Sequence, residues 1–208
     1  MAHAGTTIEH ALTGQRMTFV RTASDTAGAL LHTESSIRGG TPLETMHVHP
    51  GQEERFTVLA GTMRFIVGGR ERVAQAGQEV VVPAGTPHTF GNAGPDEARF
   101  RAEDRPALRS DGFFETYFGL AQDGKLNPRT GLPNLLQLAV ALRYYRNEIV
   151  LARPPRPVQR VLNVLWGGET LLPEDVARLL GEARFDAVRV FPSPPGGAPQ
   201  MVVGRRPL

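Results

Sequence analysis

Between Gln15 and Glu103 the chain is cut into short runs of alternating apolar and polar residues, each closed by turn-forming residues. Alternation with period two places every second side chain on one face of a strand, so each run buries one face against a second sheet. The runs span 16–20, 29–33 continuing towards 37, 43–49, 55–60, 63–67, 79–82, 89–90 and 98–102. Gly39-Gly40, Gly68-Gly69 and Gly94-Pro95 punctuate them. Met63-x-Phe65-x-Val67 followed by Gly68-Gly69 predicts a hairpin with a primed turn. Many short strands at such spacing fit an antiparallel sandwich or barrel.

After residue 105 the period changes. Ser110 can cap a helix over 111–122 that Gly124 ends. Asn134 can cap a second helix, whose stripe is Leu135, Leu138, Ala139, Leu142, Tyr145 and Ile149. Pro154-Pro155 and Pro157 break it. Further helices are expected over 158–165 and 172–183, then two short strands over 187–191 and 201–205. The expected organisation is a β-barrel over 1–104 and a mainly helical extension over 105–208, packed outside the barrel or joining two copies as a homodimer.

Composition narrows the chemistry. Cysteine is absent, which excludes disulfides, thiolate metal sites and a cysteine nucleophile. A net charge of +2 gives no basis for bulk nucleic-acid binding. Residues 125–160 carry seven basic groups against the single acid Glu148, which reads as a solvated helical face. The first residues contain no apolar run of the kind that directs secretion, and a cytoplasmic location is expected. The longest apolar stretch, 132–151, is interrupted by Arg143, Arg146, Asn147 and Glu148, so it reads as a packed helix and no membrane span is expected.

The chemically informative cluster is His47-Val48-His49-Pro50-Gly51-Gln52-Glu53-Glu54. Two histidines at i and i+2 of a strand project from one face. Pro50-Gly51 turns the chain, and Glu54, Phe56 and Val58 share a face of the next strand, so a carboxylate can meet the two imidazoles across a strand pair. A second stretch, Pro83-Ala84-Gly85-Thr86-Pro87-His88, delivers one more histidine from a rigid turn. Three neutral imidazoles and one carboxylate suit a first-row divalent metal and leave positions open for water or substrate. His3, His10 and His32 have no such pattern; His32 is a minor candidate for the cavity wall.

These residues resemble the two motifs of the cupin superfamily. His47-x-His49, four residues, Glu54, six residues and Gly61 follow the first motif, with Gly40 one residue further upstream than the pattern has its leading glycine. Gly77, Pro83, Gly85, His88 and Asn92 follow the second at every spacing. Glu53 is a rival to Glu54, but only Glu54 stands six residues before Gly61. The resemblance covers about residues 14 to 103 and is to the small single-barrel bacterial members. It implies a mainly β fold, a double-stranded β-helix or jelly roll, here with a helical extension and a terminal β-hairpin. It also implies that His47, His49, Glu54 and His88 ligate a metal. Fe(II) or Mn(II) are the expected ions, with Zn, Ni or Cu as alternatives. Gly61, Gly77 and Gly85 are expected in turns, Pro83 fixing the approach to His88 and Asn92 holding a turn.

The function expected from this is a metal-dependent enzyme acting on a small organic substrate in an apolar barrel pocket, most simply a dioxygenase-type oxidoreductase. Glu54 would be its catalytic residue, and Phe56, Val58, Phe65 and Phe90 would shape the pocket. The alternatives are a non-catalytic small-molecule binding or sensing module and a metal-dependent isomerase or cyclase. Residues 170–206 resemble the last helix and hairpin of class I methyltransferases, but no glycine-rich cofactor loop precedes them, so methylation is not inferred.

Overall fold

The computed structural model of the chain describes residues 2–152 and the strands Val188–Phe191 and Gln200–Val203. The alternating runs become strands of two antiparallel sheets. The strands are β1 (Thr7–Glu9), β2 (Arg16–Arg21), β3 (Leu31–Ile37), β4 (His47–Val48), β5 (Glu53–Ala60), β6 (Thr62–Val67), β7 (Arg70–Gln75), β8 (Glu79–Val82), β9 (His88–Asn92), β10 (Ala98–Arg105) and β11 (Val150–Leu151). One sheet runs β1-β2-β3-β10-β5-β8 and the other β11-β4-β9-β6-β7. This is the expected jelly roll, with helices α1 (Ser110–Gln122) and α2 (Leu135–Tyr144) after it. The last two strands, β12 (Val188–Phe191) and β13 (Gln200–Val203), pair antiparallel as the expected hairpin.

Alternation decides what each strand buries. Along β5, Glu54, Phe56 and Val58 are buried while Glu53, Arg55 and Thr57 are not. Along β10, Phe100 and Asp104 face inward in register with Val58 and Glu54. Phe56, Phe65, Phe90 and Phe100 meet at ring separations of 4.8–6.3 Å in tilted and edge-on arrangements, the geometry aromatic quadrupoles favour. They pack with Ile37, Val58, Met63, Val80 and Val82 as the barrel core. A second cluster joins Met17, Phe19 and Leu31 of the six-stranded sheet to Phe118 of α1.

Several boundaries differ from expectation. Of the run 43–49 only His47 and Val48 pair as a strand; the residues before them follow β9 by single bonds, such as Glu44 N to the Phe90 carbonyl at 2.9 Å. β1 and β7 carry no expected range. β7 buries only Ala74, so its sequence shows no apolar face, although the Gly68-Gly69 turn before it has both φ angles positive, as the primed turn requires. Ser110 is the first residue of α1 and its side chain does not cap the helix. Asn134 does cap α2, its side chain accepting from the Gln137 amide at 3.0 Å. The expected helices over 158–165 and 172–183 lie outside the described residues. No helix among the described residues is long and apolar enough to cross a membrane.

The extension is not only an outer layer. After α2 the chain returns to the barrel, and β11 adds to the five-stranded sheet beside β4, Leu151 opposite His47 and Val150 opposite Val48.

Candidate metal centre

The site lies between the two sheets. β4 and β9 place His47 directly opposite His88, and His49 follows β4 by one residue. β5 contributes Glu54 from the facing sheet. All four side chains are buried, and one ligand atom from each lies within 4.8 Å of the others. First-row ions sit roughly 2.0–2.2 Å from nitrogen and oxygen ligands, so a single ion fits this spread of donors. Among the described residues no other group of three or more His, Asp or Glu side chains has this property.

Backbone carbonyls select the tautomer of each imidazole. His47 Nδ1 donates to the Thr45 carbonyl at 2.8 Å, His88 Nδ1 to the Thr86 carbonyl at 3.0 Å and His49 Nδ1 to the Glu148 carbonyl at 2.6 Å. A carbonyl only accepts, so each Nδ1 carries hydrogen and the Nε2 nitrogens are left to face the centre. His88 Nε2 lies 2.8 Å from Glu54 Oε2 and His49 Nε2 lies 3.5 Å from the same oxygen. Both contacts lie where an ion would bind.

Electrostatics agree with a ligand cluster. Burial, then the neighbouring His88 and His49, push His47 down to about 3, so it stays neutral. Burial also opposes charge on His49, but the Glu54 carboxylate outweighs it and raises His49 to about 9. Burial works against the Glu54 anion as well; the His49 and His88 imidazoles overcome it and hold Glu54 below the usual carboxylate range.

Two motif positions have supporting roles. Gly85, at φ +77°, donates its N–H to the His49 carbonyl at 2.8 Å, tying the second histidine stretch to the first. Asn92 spans a turn: its Nδ2 donates to the Ile37 and Asp96 carbonyls and its Oδ1 accepts from the Gly94 amide. Glu53, the rival carboxylate, is partly exposed and bonds Arg55 at 3.2 Å.

Above the ligands lies an apolar cavity of about 110 Å³. His47, His49 and Glu54 form its polar floor, and Phe56, Phe90, Phe100 and Ala102 its barrel wall. Phe113, Phe114 and Tyr117 of α1, Leu138, Ala141 and Leu142 of α2, and Ile149 and Leu151 complete it. Of the four residues expected to shape the pocket, Phe56 and Phe90 line it. Val58 and Phe65 do not; they pack one layer deeper in the barrel core. His32 is not in the wall either: it pairs in the six-stranded sheet on the face opposite Leu31 and Thr33.

Sequence reasoning missed three supporting elements. Gln52, 1% exposed, donates through Nε2 to the Pro106 carbonyl at 2.8 Å and Ser110 Oγ at 2.9 Å, tying the start of β5 to that of α1. Asp104 stands beside Glu54 on the neighbouring strand; burial, then the Glu54 charge, raise it to about 7. Glu148 delivers the carbonyl that orients His49, and its carboxylate accepts from Arg109 Nε at 3.1 Å. Arg109 also donates to the Tyr144 carbonyl and lies 4.4 Å from the centre of the Tyr144 ring. Only the pattern inside residues 47–54 placed Gln52 near the site; nothing local marks Glu148.

Residues 34–102 match the family model described as Cupin domain. Among solved structures, the chain is similar to a predicted oxalate decarboxylase from Thermotoga maritima, at 17% identity over 51% of this chain and 98% of that one, with a TM-score of 0.43. It is similar to KdgF from Halomonas sp., at 21% identity over 48% of this chain and 85% of that one, TM-score 0.41. It is also similar to a sugar phosphate isomerase of the cupin superfamily from Silicibacter pomeroyi, at 19% identity over 46% and 62%, TM-score 0.40. No curated protein sequence matches the chain.

Proposed function

We propose that the protein, whose residues 34–102 match the Cupin domain model, is a metal-dependent enzyme acting on a small organic molecule held in the apolar cavity, with dioxygenase-type oxidation as its reaction. The observation that carries this reading is the convergence of His47, His49, Glu54 and His88, three of which, His47, His49 and Glu54, form the floor of that cavity. The donor set fits a divalent ion, because all three imidazoles have Nε2 free and the carboxylate lies among them. Fe(II) or Mn(II) bound there would supply Lewis acidity towards a ligand oxygen and, for iron, activation of dioxygen.

The chain's own residues do the rest. The aromatic rings of Phe56, Phe90, Phe113 and Phe114 exclude water and hold an apolar ligand over the floor. No Arg or Lys is among the described lining residues, which disfavours phosphorylated or multiply anionic ligands. Glu54 is the assigned catalytic residue: it is the carboxylate on the cavity floor, and an ionised carboxylate there can take a proton from a bound ligand. The same position favours a second reading, metal-assisted isomerisation, in which Glu54 takes a proton from one atom of the ligand and returns it to another.

The test is oxygen uptake by protein loaded with Fe(II), offered diketones and catechols. Uptake that depends on both metal and ligand supports oxidation. Ligand rearrangement without uptake supports isomerisation. Metal-loaded protein that binds these ligands and changes none of them is a binding module, and the enzyme reading fails.

A further inference from the structure

The cavity wall contains polar side chains that the metal centre does not use. Glu44 lines it on the segment before β4 and has no hydrogen-bond or ion-pair partner for its carboxylate among the described residues. Its backbone is fixed on both sides: its N–H donates to the Phe90 carbonyl at 2.9 Å, and its carbonyl accepts from Thr89 Oγ1 at 2.5 Å. The carboxylate is therefore presented from a rigid frame. Gln15, 4% exposed, also lines the cavity, and its amide has no partner among the described residues. The hydroxyls beside them are already committed. Tyr117 donates to the Gly131 carbonyl at 3.0 Å, and Thr116 donates to the Gly112 carbonyl and shares a hydrogen bond with Tyr145.

A carboxylate left without donors in an apolar wall is costly unless something else satisfies it. Among the described residues nothing does: Glu44 is half-buried, and burial raises it to about 7 with no cation or donor offsetting it. A ligand that displaces water from the cavity has to supply the missing donor. An enclosed apolar cavity of about 150 Å³ holds a benzene; this one has about 110 Å³ and is partly open, so it takes no more than about one ring.

We infer that Glu44 is a specificity residue: the cavity takes a small, largely apolar molecule, of about one ring, that carries a hydrogen-bond donor, a hydroxyl or an amine, on the end turned to Glu44. This rests on the reading of the cavity as the ligand site, but not on the metal. With Glu44 ionised, an anionic group at that end is rejected by like charge, and an ether or methyl group leaves the carboxylate unsatisfied.

Calorimetric titration with phenol, anisole and benzylamine at about pH 8.5, where Glu44 is ionised, tests this on the full chain, both metal-loaded and metal-stripped. In the native protein a donor-bearing probe binds about tenfold or more tighter than anisole, the effect of one hydrogen bond to a charged group. Glu44→Leu brings phenol and anisole within about twofold. Glu44→Gln keeps an acceptor without the charge, so it retains the phenol preference and loses the benzylamine one. Benzylamine exceeding phenol in the native protein identifies an ammonium, and the reverse a hydroxyl. Equal binding of all three probes, a preference that survives Glu44→Leu, or no binding by any probe overturns the inference. Metal content of the same samples reads the other claim separately: a donor preference in protein that takes up no metal removes the metal reading and leaves this one.

Discussion

The barrel wall and the segment 109–152 that closes over it build the same site by different means. The wall uses local pattern: His47 and His49 are two apart on one strand, and Glu54 and Phe56 are two apart on the next. The closing segment uses backbone and reach. The Glu148 carbonyl orients a histidine 99 residues away, and Arg109 holds the Glu148 carboxylate. The wall is a packed core in which a lost ring leaves a void. The closing segment is a clamp in which a lost contact frees a ligand to turn. Stability and metal affinity therefore separate between the two regions.

The largest expected effect is at the ligands. His49→Ala and His88→Ala each drop metal content from near one ion per chain to near zero, read by elemental analysis, while circular dichroism keeps its β signature. Retained metal in both variants rejects the ligand assignment.

Next is the wall. Phe56 is fully buried among Phe65, Phe90 and Phe100. Phe56→Ala lowers unfolding free energy by about 3–5 kcal/mol in urea titration. A cost below about 1 kcal/mol would mean that the aromatic cluster is not close-packed.

The clamp shows the opposite balance. Glu148→Ala releases Arg109 and loosens the turn whose carbonyl holds His49. Metal affinity falls by about 10- to 100-fold, as for other groups that orient metal ligands, with little change in urea midpoint. A large stability loss at unchanged affinity would make the segment structural only.

The smallest effect is in pH. His49 lies above its ordinary value in the metal-free site, so its contribution to stability is complete below about 6.5 and is lost as pH rises through about 9. Glu54 lies below its ordinary value, so its contribution is present above about 4.5 and is lost as pH falls. Metal-free protein then melts a few degrees lower at pH 9 than at pH 6.5, and metal-loaded protein does not show this alkaline loss, because the ion has replaced the proton. Metal-free protein that gains stability over that interval would contradict the shift assigned to His49.

The same contrast explains what was legible in the sequence. Spacing in a strand put His47 and His49 on one face and Glu54 with Phe56 on another; the choice of Glu54 over Glu53 and the set of four with His88 came from the motif resemblance. Phe56 and Phe90 against Val58 and Phe65 were not separable, since all four alternate inward and depth along the barrel leaves no mark on the chain. β7 escaped because Arg70, Glu71, Arg72 and Val73 are all exposed, so its alternation has nothing to bury. Ser110 reads as a cap by type, but its hydroxyl serves Gln52 instead. Glu148 and Glu44 were illegible for a physical reason: the first acts through a backbone carbonyl that any residue has, and the second through the absence of a partner.

The most direct test of the metal centre is anomalous diffraction from crystals grown with iron or manganese and measured on either side of the absorption edge. The account predicts one edge-dependent peak among His47 Nε2, His49 Nε2, His88 Nε2 and a Glu54 oxygen. Fully loaded crystals with a peak elsewhere, or with these four groups still sharing protons and no peak between them, would contradict it.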